Sequence, residues 1–235
     1  ISANGETIAV TDFSNNIFIY KKVNGLWVEQ ASAPKIINNE TDVPSSVHFP
    51  SIAISADGNT IIAGIPHASY ETGAVWIFSH QNGTWVNEAE RLTGTGYIGT
   101  SAQGSSVSLS ADGNIAAVGG KWDNGSIGAT WIYTKTNGVW TQLGSKLVAS
   151  DHLNVTGQGI SVSLSASGNE LIVGGPWDNN GYGAAWVFKR KDNNWHQIKK
   201  LVGTNSEYAA EGTSVAMSAD GKTVIVGAVL IGVVQ

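Results

Sequence analysis

The chain has 235 residues, a net charge of −5, only 13% charged residues, 29 glycines and no cysteine. The acidic balance argues against nucleic acid as a partner, because nonspecific phosphate binding needs a basic surface. Without cysteine, neither a disulfide framework nor a thiolate metal site can form, and no 18-residue apolar run or signal peptide points to membrane insertion or export.

In chain order, Ile1 reads as the last residue of a first strand, followed by the tight turn Ser2-Ala3-Asn4-Gly5. The same Ser-Ala-x-Gly tetrad returns at Ser55, Ser110, Ser165 and Ser218, at intervals of 53, 55, 55 and 53 residues. A second marker keeps this beat: Trp27, Trp85, Trp140 and Trp195 each follow a turn, namely Asn24-Gly25, Asn82-Gly83, Asn137-Gly138 and Asn193-Asn194. Nine residues before each of these tryptophans stands an aromatic residue: Phe18, Trp76, Trp131 and Trp186. Three markers in register over four periods define a repeat of about 54 residues.

Within one unit the period is that of strands. Ser106–Ser110 and Ile115–Val118 flank the Ala111–Asn114 turn; Ala129–Thr134 and Val139–Leu143 flank Asn137-Gly138. Asn-Gly between alternating runs is a strong hairpin signal, because both central positions take positive φ. A polar loop joins the second strand to the third, and a Gly/Ser/Thr-rich connector from Leu147 to Gly159 leads to the next unit. Four antiparallel strands per unit predict an all-β protein built of propeller blades, with residues of the Trp131 and Trp140 kind packed between blades. Residues 1–235 are thus expected to be a single β-propeller domain or part of one, with both ends falling within a blade and a longer chain favoured over a closed five-bladed ring. A solenoid or a row of small sandwiches fits the unit length and strand count less well.

At these residues the chain resembles the FG-GAP repeat, the blade of the integrin α-subunit propeller and of bacterial and viral relatives. Gln103-Gly104-Ser105-Ser106-Val107 stands where the family has its Phe-Gly opening. Val118-Gly119-Gly120 and Val173-Gly174-Gly175-Pro176 stand at its Gly-Ala-Pro segment. Gly73-Ala74-Val75-Trp76-Ile77-Phe78, with its copies at Gly128 and Gly183, resembles the third strand. The family's calcium loop is not matched. Ser55-Ala56-Asp57-Gly58-Asn59 is too short and has one carboxylate, against the six to eight oxygens calcium takes, so no metal and no cofactor is expected. The resemblance implies a module that binds partners at its loop-rich face.

The loop between second and third strands carries the chemistry most open to a ligand. Two copies read Trp122-Asp123-Asn124-Gly125 and Trp177-Asp178-Asn179-Asn180, and the preceding one holds His67 and Tyr70. In a four-stranded blade this loop shares a rim with the connectors, where Tyr97, His152 and Tyr208 are second-rank candidates. A flat apolar ring beside amide and carboxylate groups suits sugars as well as proteins. Alternatively, Trp122 and Trp177 cap neighbouring blades while Asp123 and Asp178 make Asx-turns.

No catalytic constellation is visible: the five histidines (His48, His67, His80, His152, His196) lack metal-ligand spacing, and no nucleophile elbow or phosphate loop occurs. Basic residues are scattered, apart from Lys189-Arg190-Lys191 and Lys199-Lys200. Sequons at Asn39, Asn82, Asn124 and Asn154 give faint support to an extracellular or surface location. The expected function is therefore non-enzymatic adhesion or recognition of a protein or glycan ligand on a cell or particle surface. The alternatives are a lectin and a structural component of a bacterial surface or virion. A sugar preference that survives chelators would mark the lectin; stoichiometric retention in a purified particle would mark the structural component.

Overall fold

A computed structural model describes residues 1–12, 14–30, 33, 34, 36, 50–204 and 209–229. His48, Asn39 and Tyr208 lie outside them. The strands fall into five antiparallel sheets in chain order. The first holds β1 (Thr7–Thr11), β2 (Ile17–Val23) and β3 (Leu26–Glu29). The second holds β4 (Ser51–Ile54), β5 (Thr60–Ile65), β6 (Ala74–Gln81) and β7 (Thr84–Leu92). The third holds β8 (Gln103–Leu109), β9 (Ile115–Gly120), β10 (Ala129–Thr136) and β11 (Val139–Gln142). The fourth holds β12 (Ser161–Leu164), β13 (Glu170–Gly175), β14 (Ala184–Lys191) and β15 (Asn194–Leu201). The fifth pairs β16 (Ser214–Met217) with β17 (Val224–Gly227). Each sheet keeps sequence order, so every blade is an up-and-down meander and the architecture is that of a β-propeller. No helix among the described residues is long and apolar enough to cross a membrane.

Period-two alternation builds a core on both faces of a blade. On β10, Trp131 and Tyr133 pack against Ile62, Val75 and Ile77 of the preceding blade. Ile132 between them joins Trp186, Leu171 and Phe188 of the following one. The same arrangement sets Trp76 and Phe78 against Ile17 and Ile19. Trp76, Trp131, Trp140 and Trp186 are buried as the aromatic beat requires, whereas Trp27 remains 41% exposed under the Lys22 ammonium.

The tetrads explain how neighbouring blades hold register. In each turn the serine hydroxyl accepts the N–H of the residue five further on, Ser55 from Thr60 and Ser110 from Ile115, and donates to Asp57 or Asp112. The turn that results presents one backbone N–H and one carbonyl sideways. Ala3 donates to Ala56, Ala56 to Ala111, Ala111 to Ala166 and Ala166 to Ala219, all at 2.9–3.0 Å. A ladder of backbone bonds thus runs along the turn rim, one rung per blade boundary.

At the opposite rim glycine lets the backbones meet. A Cβ on Gly119 would stand 2.0 Å from the Gly159 carbonyl oxygen, and one on Gly128 would stand 2.2 Å from that of Gln158. Gly128 also has φ +80, and it bridges to Gln158 at the start of the next blade. Ser106 adds a bond from its hydroxyl to the Gly159 carbonyl at 2.8 Å.

Partial burial pushes the Asp57 and Asp112 carboxyls up, but bonds from Ser55 or Ser110 and from Asn59 or Asn114 outweigh it and hold them below their ordinary value of 3.8. A depressed carboxylate stabilises the fold above its unfolded value, and that contribution is lost as pH falls through the folded one. Ser110→Ala leaves the Ile115 N–H without its acceptor and is expected to lower stability by about 1–3 kcal/mol in urea melts at pH 7. The deficit should shrink below about pH 4, where Asp112 protonates in wild type too. A deficit unchanged from pH 7 to pH 3 would break the link between this turn and its carboxylate.

Candidate functional site

The loops after β5, β9 and β13 share one backbone. His67, Trp122 and Trp177 lead each loop, and three consecutive residues then take positive φ: Ser69-Tyr70-Glu71, Asn124-Gly125-Ser126 and Asn179-Asn180-Gly181. Asn and Gly accept this left-handed turn readily; for Ser69, Tyr70 and Glu71 it is strained by about 1–2 kcal/mol per residue. The tips project outward, with Asn124, Asn179 and Asn180 exposed and Tyr70 at 72%.

What holds the tips is buried beneath them. Asp123 and Asp178 are 0% and 1% exposed, and neither makes a local Asx-turn. Asp123 accepts the backbone N–H of Ile98 at 2.8 Å and pairs with Lys146. Asp178 accepts that of Leu153 at 2.7 Å and pairs with Lys200 at 2.7 Å. Each carboxylate therefore ties three pieces together: its own loop, the connector entering its blade, and the lysine that ends or follows the outer strand. Asn124 and Asn179 add backbone bonds to the Ile98 and Leu153 carbonyls. The loop and the connector do share a rim, and Asp123 and Asp178 support it from inside. In the preceding blade Ala68 occupies this place, so no carboxylate stands at that position.

The aromatic leaders are half-buried. The Trp122 indole meets the His67 ring edge-on at 5.6 Å, and the Lys121 ammonium stands 5.2 Å from its centre. Burial lowers the pKa of Lys121, which stands where the neighbouring blades have Pro66 and Pro176. Trp177 turns to its own connector and packs on Gly157, where a Cβ would come within 2.6 Å of the ring. So His67 and Trp122 are brought together across a blade boundary, while Trp177 forms a separate station. His67 also pairs with Glu71 at 3.6 Å. Among the second-rank residues Tyr97 is exposed and His152 half-buried on the connectors, and Asn154 bonds to Asn180 at 3.2 Å.

Connectors are pinned further by side-chain amides, of which Gln103 and Gln158 are buried. Gln103 binds the N–H and carbonyl of Gly94, Gln158 accepts from Ala149, and Gln142 and Gln197 hold Thr95 and Ser150. Lys146 and Lys200 escaped sequence reading, although their offsets from Asp123 and Asp178 are nearly the same. Among the described residues no three His, Asp or Glu side chains gather as a metal site would need.

No protein-family model matches the chain, and no curated protein does. Among solved structures it is similar to the β-propeller domain of Cps50 (Swd1) from Myceliophteria thermophila, at 14% identity and a TM-score of 0.53. The match covers 90% of this chain and 60% of that one, so the chain spans well under two thirds of its neighbour's length. At this identity the likeness establishes the fold alone.

Asp178→Ala should remove the acceptor of the Leu153 N–H and the carboxylate partner of Lys200, which keeps its bond to the Asp151 carbonyl. A loss of about 1–3 kcal/mol in urea melts is expected, together with faster amide exchange at Leu153 and Asn179. Unchanged exchange there would show that the carboxylate does not anchor the rim.

Proposed function

We propose that this propeller is a non-catalytic interaction module that engages a protein partner through its loop-rich rim, at a cell or particle surface. The observation carrying this reading is that two blades in succession present one exposed, left-handed tip over a buried Asp–Lys anchor, beside a half-buried indole. A rim held from beneath loses little conformational entropy on binding, and its indoles offer the amphipathic area that interfaces favour. The FG-GAP-like motifs agree with surface recognition.

A carbohydrate ligand is the second reading, favoured by the partly open indoles of Trp122 and Trp177 beside Asn124 and Asn179. His67 and Tyr70 would extend the rim on the preceding blade. Asp123 and Asp178 serve either reading from below.

The test is site-specific photo-cross-linking. A photoreactive residue at Asn124 or Asn179 should capture a partner from native surface extract, and one at Asn137 on the turn rim should not. Adducts formed equally from both rims, or only from Asn137, would sink the assignment. On a glycan array, selective binding that vanishes in a Trp122→Ala/Trp177→Ala double variant of intact fold would move the assignment to a lectin.

A further inference from the structure

One blade boundary contains a bond set that the next boundary leaves incomplete. Between the second and third sheets, Glu88 on β7 reaches across to β10 and β11 of the following blade. Its carboxylate accepts from the Lys135 ammonium at 2.6 Å and from the Trp140 indole N–H at 3.2 Å. Glu88 is only 9% exposed. Burial pushes its carboxyl up, and the bonds from Lys135, Ser79 and Trp140 more than offset this.

One repeat further on, at a spacing of 55, the three positions are Leu143, Arg190 and Trp195. The two donors keep their places. Lys135 lies directly opposite Trp140 in the β10–β11 pairing, and Arg190 lies directly opposite Trp195 in the β14–β15 pairing. Only the acceptor is gone, replaced by an aliphatic side chain. As a result, Arg190 Nη1 and Trp195 Nε1 are both buried, and neither has a hydrogen-bond partner among the described residues. Such donors are costly to leave unmet, and more so when one carries charge.

A groove of about 590 Å³ opens at this boundary, lined by Leu143, Phe188, Asn193, Trp195, His196 and Gln197. Arg190 reaches its lining through Asn193, donating its other terminal nitrogen to Asn193 Oδ1 at 3.0 Å. The groove follows β15, the outer strand of its sheet, whose free backbone edge can take an extended chain. The preceding outer strand β11 has four residues against nine in β7, and no strand among the described residues covers the space. Lys189 and Lys191 flank Arg190 on β14, and Lys146 lines the groove; among the described residues Lys189 meets the Glu170 carboxylate and Lys146 that of Asp123.

We infer that this boundary is a binding site for an extended acidic segment of a partner protein, one of whose glutamate side chains enters beside Leu143 and completes the bond set with Arg190 and Trp195. The inference rests on the reading of the chain as a protein-binding propeller, but places contact on the outer edge of a blade, away from the loop-rich rim. The chain itself supplies the template, since Glu88 reaches its own pair of donors from an extended strand.

The probe is a capped hexapeptide copying Thr84–Ala89, titrated into the isotopically labelled chain while the Trp195 indole N–H resonance is followed. That resonance is identified as the one missing from Trp195→Phe. The peptide should shift it saturably, and the same peptide carrying E88Q should bind at least about tenfold more weakly. Leu143→Glu should fill the site in cis, placing the resonance at its bound position and abolishing the response to peptide. Should that variant fail to fold by circular dichroism, Arg190→Gln, with an expected loss of about tenfold or more, takes its place.

No shift, equal binding of the Glu and Gln peptides, or full binding by Leu143→Glu would overturn the inference. Glutarate matching the peptide would overturn the protein segment in favour of a small dicarboxylate. None of these outcomes bears on the rim, whose cross-linking result decides the broader reading separately.

Discussion

The rest of the structure depends on how closely one blade can approach the next. That distance is set at both rims by backbone rather than by side chains. At the turn rim, alanine N–H groups reach alanine carbonyls from Ala3 through to Ala219. At the loop rim, glycines such as Gly119 and Gly159 meet with no room for a Cβ. Between these two seams the apolar side chains must fill a gap of fixed width. That requirement accounts for the recurrence of tryptophan on one side of each third strand and of smaller aliphatic residues on the other.

Once the spacing is set, the two rims are free to differ. The turn rim uses its serines and aspartates on itself and leaves short polar hairpins in solvent. The loop rim sends Asp123 and Asp178 inward to lysines and exposes amides, partly open rings and Tyr70. A buried ion pair adds little net stability compared with a well-packed apolar pair. Here its value is geometric, because it holds a loop, a connector and an outer strand at one point while the surface above differs, Asn124-Gly125 in one blade and Asn179-Asn180 in the next.

Much of this was legible from the residues. The tetrads, the Asn-Gly turns and the aromatic beat each mark a position whose backbone or volume the blade demands, so strand order and inter-blade packing could be read directly. Gln103–Leu109 begins earlier than the apolar run at Ser106 suggests, because Gln103 pairs with Gly120 of its own blade across a bulge and bridges to Gly73 of the preceding one. The role of Asp123 was not legible: it acts on Ile98 and Lys146, 25 and 23 residues away, and nothing local distinguishes it from an Asx-turn residue. The exchange of Glu88 for Leu143 was visible as letters. Its meaning required knowing that the outer strand of one blade faces the donors of the next.

The alanine ladder has a mechanical consequence. Each rung lies between neighbouring units and none spans more than one boundary, so resistance to a pull on the chain is shared only locally. Tension should detach whole blades in turn, giving evenly spaced rupture events, each releasing the contour length of one repeat. The boundary carrying the Glu88 bonds and the one at Leu143 would then part at different forces. Filling the vacant position would toughen the weaker seam without altering the length released.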